Sequence, residues 1–103
     1  MITLLTDTQG AYPDASAERL VSLVERLGDD LEFVIVERDD LKGFAQAIGK
    51  PGEFTVEYQE PSGVQWQGKV STTEEVGTVL LGWAQDRTGW RDALEWKSLG
   101  KLG

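Results

Sequence analysis

Residues 52–70, GEFTVEYQEPSGVQWQGKV, contain the clearest structural pattern in the chain. Apolar and polar residues alternate on either side of Pro61 and Gly63, which is typical of two strands that each bury one face. Proline at the second position of the turn and glycine where a positive φ is needed favour a type I turn with a bulge. We therefore predict a hairpin in which Tyr58 faces Trp66 and Val56 faces Gly68.

Helical spacing appears on both sides of this hairpin. After it, Thr72 and Glu75 form a potential capping box. The apolar face of the helix that follows, which we expect to end near residue 86 or 87, is Val76, Val79, Leu80, Trp83 and Ala84. Before the hairpin, residues 14–27 predict a first helix, with Asp14 or Ser16 as the cap and Gly28 as the terminator. Its apolar positions are Ala17, Leu20, Val21, Val24 and Leu27.

The remaining segments give shorter patterns. Residues 2–5 predict a brief strand followed by a turn-rich loop, and the continuously apolar residues 31–36 predict a central strand covered on both faces. Residues 39–48 place apolar side chains at helical spacing behind an aspartate, which favours a short helix or an ordered loop. The segment after Gly89 is expected to close over the edge of the core.

These elements together predict a single α+β domain over residues 1–103. We expect a small, mainly antiparallel sheet of about four strands packed against two amphipathic helices. Trp66 and Trp83 lie on inward faces and are predicted core residues. Trp90 and Trp96 fit either a cover over the sheet or an exposed binding patch, and the sequence leaves both open.

Composition excludes several classes of chemistry. The 103 residues include no cysteine and no histidine, so disulfides, thiolate metal sites, cysteine nucleophiles and histidine bases are absent. The serines Ser16, Ser62, Ser71 and Ser98 have no histidine to activate them, and we therefore expect no enzymatic activity. We also expect no cofactor, and the acidic residues lack the spacing of a calcium loop.

Two motifs resemble catalytic or nucleotide sites and fit neither. The segment from Gly43 to Lys50 has one residue too many between its glycines for a phosphate loop, and Pro51 follows where serine or threonine would be needed. Glu53 and Glu57 share one strand face and could form an acid and base pair. Because that face is polar, we expect them to be exposed, with Glu57 diagonal to Lys69.

Charge and hydropathy limit the partners. The chain carries 18 acidic against 10 basic residues, a net charge of −8, which disfavours nucleic acid and favours a basic protein. No stretch approaches the ~18 apolar residues of a membrane span, and the N-terminus lacks the basic flank of a signal peptide. We expect a cytoplasmic protein with no membrane partner.

Residues 52–96 resemble a family of small bacterial immunity proteins, which neutralise polymorphic toxins. The resemblance lies in the order of a hairpin containing Val56-Glu57-Tyr58, a helix ending in Gly82-Trp83-Ala84, and the pairs Gly89-Trp90 and Leu94-Glu95-Trp96. It implies an α+β protein without catalytic residues that binds a cognate toxin domain and occludes its active site.

If the resemblance holds, the acidic residues become candidates for the toxin-binding surface. The steering charges would be Asp29, Asp30, Glu32, Glu37, Asp39 and Asp40. Glu53, Glu57 and Trp90 are the candidate contacts. The alternative is a small accessory or regulatory domain that acts with an unrelated enzyme and could form a homodimer.

Overall fold

The computed structural model describes residues 2–7, 10–38, 43–85, 87 and 89–101. Within these ranges the chain forms seven strands, two α-helices and one 3₁₀ turn. In chain order they are β1 (Ile2–Thr6), β2 (Gly10–Ala15), α1 (Ala17–Val24), β3 (Phe33–Arg38), β4 (Phe44–Lys50), β5 (Glu53–Gln59), β6 (Val64–Val70), α2 (Thr73–Ala84), the 3₁₀ turn (Trp90–Ala93) and β7 (Lys97–Lys101).

The strands form one antiparallel sheet in the order β2-β1-β3-β4-β5-β6-β7. The expected sheet of about four strands is therefore wrong in its size, although the α+β character holds. The four predicted strands correspond to β1, β3, β5 and β6. The other three strands come from segments with different predictions. The sequence predicts a turn-rich loop where β2 forms, a short helix or an ordered loop where β4 forms, and a tail that closes over the edge of the core where β7 forms.

Strand β4 replaces the predicted helix or loop within residues 39–48. It pairs with β3 on one side and with β5 on the other, so both edges of its backbone are hydrogen-bonded. Gly49 has a φ of 123°, and a side chain there would collide with the backbone oxygen of Glu53. Pairing with two neighbours outweighs the helical spacing of the apolar residues, because that spacing is only a weak local preference.

The other two additional strands lie at the edges of the sheet. β2 contains Pro13, which has no N–H to donate and is tolerated because β2 has one neighbour only. β7 pairs with β6, so the tail adds a strand to the sheet as well as packing over its edge.

The hairpin prediction is confirmed in register, and Gly63 has the positive φ that the turn prediction requires. Tyr58 pairs with Trp66 and Val56 pairs with Gly68. In the turn, the Gly63 N–H donates to the Glu60 carbonyl at 2.8 Å, and Gly63 has a φ of 97°. Local turn chemistry and alternation agree here with the tertiary structure.

Both helices begin where the sequence predicts a cap. Ser16 caps α1, its side chain accepting a hydrogen bond from the Arg19 N–H at 3.1 Å. Thr72 and Glu75 form the predicted capping box of α2. The helices end earlier than expected, at Val24 and Ala84.

The helices cover one face of the sheet, which we call the inner face. α2 packs on β3, β4 and β5, α1 packs against α2, and the 3₁₀ turn also packs against α2. Val34 and Val36 of β3 are buried beneath them, whereas Phe33 and Ile35 point to the opposite, outer face and are only half-buried. The prediction that this strand is covered on both faces is therefore wrong, although β3 does lie inside the sheet, between β1 and β4.

Candidate protein-binding surface

Acidic side chains converge at one end of the sheet, where β1 ends and β3 and β5 begin. They line a depression of about 630 Å³ that also includes Ile48 and Lys50. The acidic members are Asp7, Asp29, Asp30, Glu32 and Glu53. We call this group the acidic end.

The connection between α1 and β3 brings these residues together. It turns at Gly28, which has a φ of 83° and whose N–H donates to the Leu31 carbonyl at 2.9 Å. A Cβ at Gly28 would lie 2.6 Å from the Cα of Lys50, so only glycine permits this close approach to the end of β4. Asp7 joins the site through its carboxylate, which accepts a hydrogen bond from the Glu32 N–H at 3.0 Å.

Two of the acidic side chains are partly neutralised by neighbours. Arg26 donates two hydrogen bonds to Asp30 from its Nε, at 3.0 and 3.1 Å, and a further one from Nη2. These bonds hold the pKa of Asp30 below its ordinary value. Lys50 lies 3.7 Å from Glu53. Within the described part of the chain, Asp7, Asp29 and Glu32 form no ion pair, so the acidic end keeps a net negative charge.

Glu57 lies at the middle of the outer face and accepts hydrogen bonds from three glutamine amides. Gln46 donates to one carboxylate oxygen at 2.6 Å, and Gln65 and Gln67 each donate to the other at 3.3 Å. Lys69 donates instead to the Thr55 hydroxyl at 2.7 Å, so the expected pair with Glu57 is wrong. Amide donors fix the carboxylate in place but leave its negative charge intact.

The outer face beside Glu57 carries a group of apolar side chains on β1, β3 and β4, with Thr3, Glu37 and Gln46 among them. Leu5 lies opposite Ile35, and Phe33 lies opposite Ile48, so the four side chains form one continuous cluster. Ile48 is 47% exposed, and the other three are half-buried. Phe44 extends the cluster along β4 and is paired with Glu37. We call these five apolar residues the outer-face cluster.

Trp90 lies on the other side of the sheet. It packs edge-on against Tyr58 with ring centroids 5.0 Å apart, and against Trp96 at 5.9 Å. Trp96 also contacts Tyr58 at 4.8 Å. Both tryptophans are half-buried against the core, which places them as a cover over the inner face.

The candidate residues thus divide among three places. Asp29, Asp30, Glu32 and Glu53 meet at the acidic end, Glu37 and Glu57 lie on the outer face, and Trp90 covers the inner face. Asp39 and Asp40 lie outside the described residues. Sequence reasoning missed Asp7 and the outer-face cluster. Residues 33–36 are all apolar, so the sequence could have indicated the cluster only if the sheet were known to have one uncovered face.

Other chemistries find no site in the described ranges. No group of three or more acidic side chains there is arranged to hold a metal ion. No helix in those ranges is long and apolar enough to cross a membrane. Nearly all of the segment from Gly43 to Lys50 forms the extended strand β4. An extended strand does not offer the cradle of backbone N–H groups that phosphate loops use.

Comparison with protein-family models, with curated proteins and with solved structures finds no match to this chain.

Proposed function

We propose that this chain is a non-enzymatic, immunity-type protein that binds a basic toxin domain and neutralises it by occluding its active site. The observation that carries the proposal is the acidic end, where five carboxylates from separate parts of the chain border one depression that also contains an exposed isoleucine. Charged residues at the rim of an interface raise the association rate of an oppositely charged partner. An apolar centre adds contact area from which water is excluded.

The resemblance of residues 52–96 to immunity proteins supports the same function, and it rests on the sequence alone. Toxins that act on nucleic acids or nucleotides need a basic substrate-binding surface. An inhibitor with a net charge of −8 complements such a surface. The compartment would be the cytoplasm of the cell that carries the toxin.

A second candidate is a regulatory domain that assembles with an unrelated enzyme or with itself. The outer-face cluster favours it, because a contiguous apolar surface with one exposed and four half-buried side chains is typical of interfaces of many kinds. In this case the acidic end would serve solubility only.

Affinity capture from the source lysate, followed by a growth assay, separates the two candidates. The tagged chain is used as bait, and any domain recovered in near-equal amount is then expressed alone and together with this chain. An immunity protein predicts a basic domain that arrests growth when expressed alone, with growth restored by co-expression. Recovery of a metabolic enzyme, or of this chain only, would favour the regulatory domain and remove the proposal.

A further inference from the structure

We propose that the outer face of the sheet over β1, β3 and β4 is the docking surface, and that its occupant is a basic protein surface presenting an apolar side chain. The inference rests on the proposed function for the identity of the partner, but the surface itself is argued from the fold. Its centre is the outer-face cluster, and its charged border is the acidic end together with Glu37 and Glu57.

The first argument is the one-sided packing of the sheet. α1, α2 and the 3₁₀ turn all lie on the inner face, and the core is built from residues that point there. Among the described residues, the partly buried apolar side chains that pack against this core do not include Leu5, Phe33, Ile35 or Phe44. The outer-face cluster is therefore a separate apolar surface, and soluble proteins seldom leave such a surface without a use.

The second argument is the distribution of charge around the cluster. Ile48 belongs both to the cluster and to the depression of the acidic end, so the two surfaces are continuous. Glu37 borders the cluster because it pairs with Phe44. Glu57 lies farther across the sheet, where it pairs with Gln46, and Gln46 pairs in turn with Ile35 of the cluster.

Among the described residues, three lysines also lie on the outer face. Lys50 borders the same depression but is paired with Glu53 at 3.7 Å, Lys69 donates to the Thr55 hydroxyl beside Ile48, and Lys97 lies on β7. The carboxylates of the border outnumber these cations.

The third argument is the rigidity of the Glu57 carboxylate in this border. Three glutamine amides hold Glu57, and Gln65 is itself buried, so the charge is presented in one position. A preorganised carboxylate loses little side-chain freedom when a cation approaches it. This arrangement fits an arginine or lysine that lies beside an apolar residue of the partner, and it repels the phosphates of nucleic acid or lipid.

A rival groove lies between α1 and α2. It has a volume of about 680 Å³ and includes Val21, which is 36% exposed. Its lining contains Glu25 and Glu74 but also Arg87, so it has no consistent charge. Because Val21 and Ile48 are the two exposed large apolar residues of the described chain, they form a matched pair for a test.

The test uses a short synthetic peptide that alternates arginine and leucine, titrated into the isotope-labelled full chain and followed by backbone amide NMR. We expect the signals of Leu5, Ile35 and Ile48 to shift. Peptides that replace arginine by glutamate, or leucine by serine, should bind at least about tenfold more weakly. The Ile48→Lys variant should weaken binding of the original peptide about tenfold, and Val21→Lys, with the same change of charge, less than about twofold.

Several results would overturn the inference. They are shifts confined to the groove between α1 and α2, no shifts at all, or equal effects of the two lysine variants. Concentration-dependent shifts of the outer face without peptide would make a second copy the occupant. The Ile48→Thr variant keeps a β-branched residue in β4 and should also weaken binding, which separates loss of the surface from loss of the fold.

Failure of the docking surface and failure of the proposed function give different results. If a captured toxin is neutralised equally well by the Ile48→Lys variant, the docking surface is wrong and the immunity function stands. If the peptide binds as expected but no toxin is captured, the surface stands and the immunity function is removed.

Discussion

At the scale of single residues, Gly82 shows how closely the tail packs against α2. A Cβ at this position would lie 2.5 Å from the Cδ1 and Cγ atoms of Trp90 and 2.6 Å from its Cβ. We expect Gly82→Ala to lower the free energy of unfolding by about 1–3 kcal/mol, because the overlap outweighs the better helical propensity of alanine. Urea denaturation measures the change.

The matched control is Gly77→Ala in the same helix. Nothing lies within 4 Å of a Cβ built there. This variant should raise the free energy of unfolding by about 0.5–1 kcal/mol, since alanine replaces glycine in a helix. Equal stability of the two variants would contradict the packing of Trp90 on α2.

Tyr58 gives a second prediction at the residue scale. Its hydroxyl is buried without a hydrogen-bond partner among the described residues, and burial raises the pKa of Tyr58 above 10.0, although Arg91 opposes the shift. The folded protein then keeps this proton at a pH at which the unfolded chain has lost it, so the shift makes stability fall as pH rises above about 10. Tyr58→Phe should leave stability at pH 7 unchanged or raise it by up to about 1 kcal/mol.

Thermal unfolding of both proteins between about pH 8 and 11 provides the measurement. The stability of Tyr58→Phe should fall less steeply above pH 10 than that of the parent chain. A loss of more than about 1 kcal/mol at pH 7 would mean that the hydroxyl has a partner.

At the scale of elements, α2 depends on its capping box. The Thr72 side chain accepts from the Glu75 N–H at 3.1 Å, and the Glu75 carboxylate accepts from the N–H groups of Thr72 and Ser71 at 3.1 and 3.2 Å. Thr72→Ala removes the first of these bonds and should cost about 1 kcal/mol of stability. Thr72→Ser should retain most of it, because serine caps equally well.

Thr78→Ala in the middle of α2 is the control for this element. The Thr78 hydroxyl donates only to the Glu74 carbonyl of its own helix. Its removal should change stability by less than about 0.5 kcal/mol. Chemical denaturation compares the three variants, and a Thr72→Ala effect no larger than that of Thr78→Ala would refute the capping role.

At the scale of the whole molecule, the arrangement of charge should govern encounter with a basic partner. Reversing Asp29 and Glu32 to lysine should lower the association rate of the captured toxin domain about tenfold at low salt, with the difference vanishing near 1 M salt. Reversing Glu18 on α1 and Glu25 at its C-terminal end makes the same change in net charge on the other side of the sheet and should have a smaller effect. Stopped-flow mixing measures both. Equal effects would show that only net charge matters.

The sequence by itself determined those parts of the fold that depend on residues close together in the chain. The register of the hairpin follows from alternation and from the Pro61 and Gly63 turn, the helix starts follow from Ser16 and Thr72, and Trp83 is inward because its helix face is apolar. Each of these depends on hydrogen bonds or contacts within a few residues of the chain. The absence of histidine and cysteine is likewise a property of composition alone.

Only the tertiary structure decided the width of the sheet and which of its faces remains uncovered. Strand β4 exists because β3 and β5 pair with both of its edges, a non-local gain that its own glycines and helical spacing could not indicate. The candidate site has the same origin. Asp7 meets Glu32 across a separation of 25 residues, and Ile48 is exposed because two helices cover one face of seven strands. Contacts between distant segments lower the free energy only once the chain has folded, so no local pattern records them.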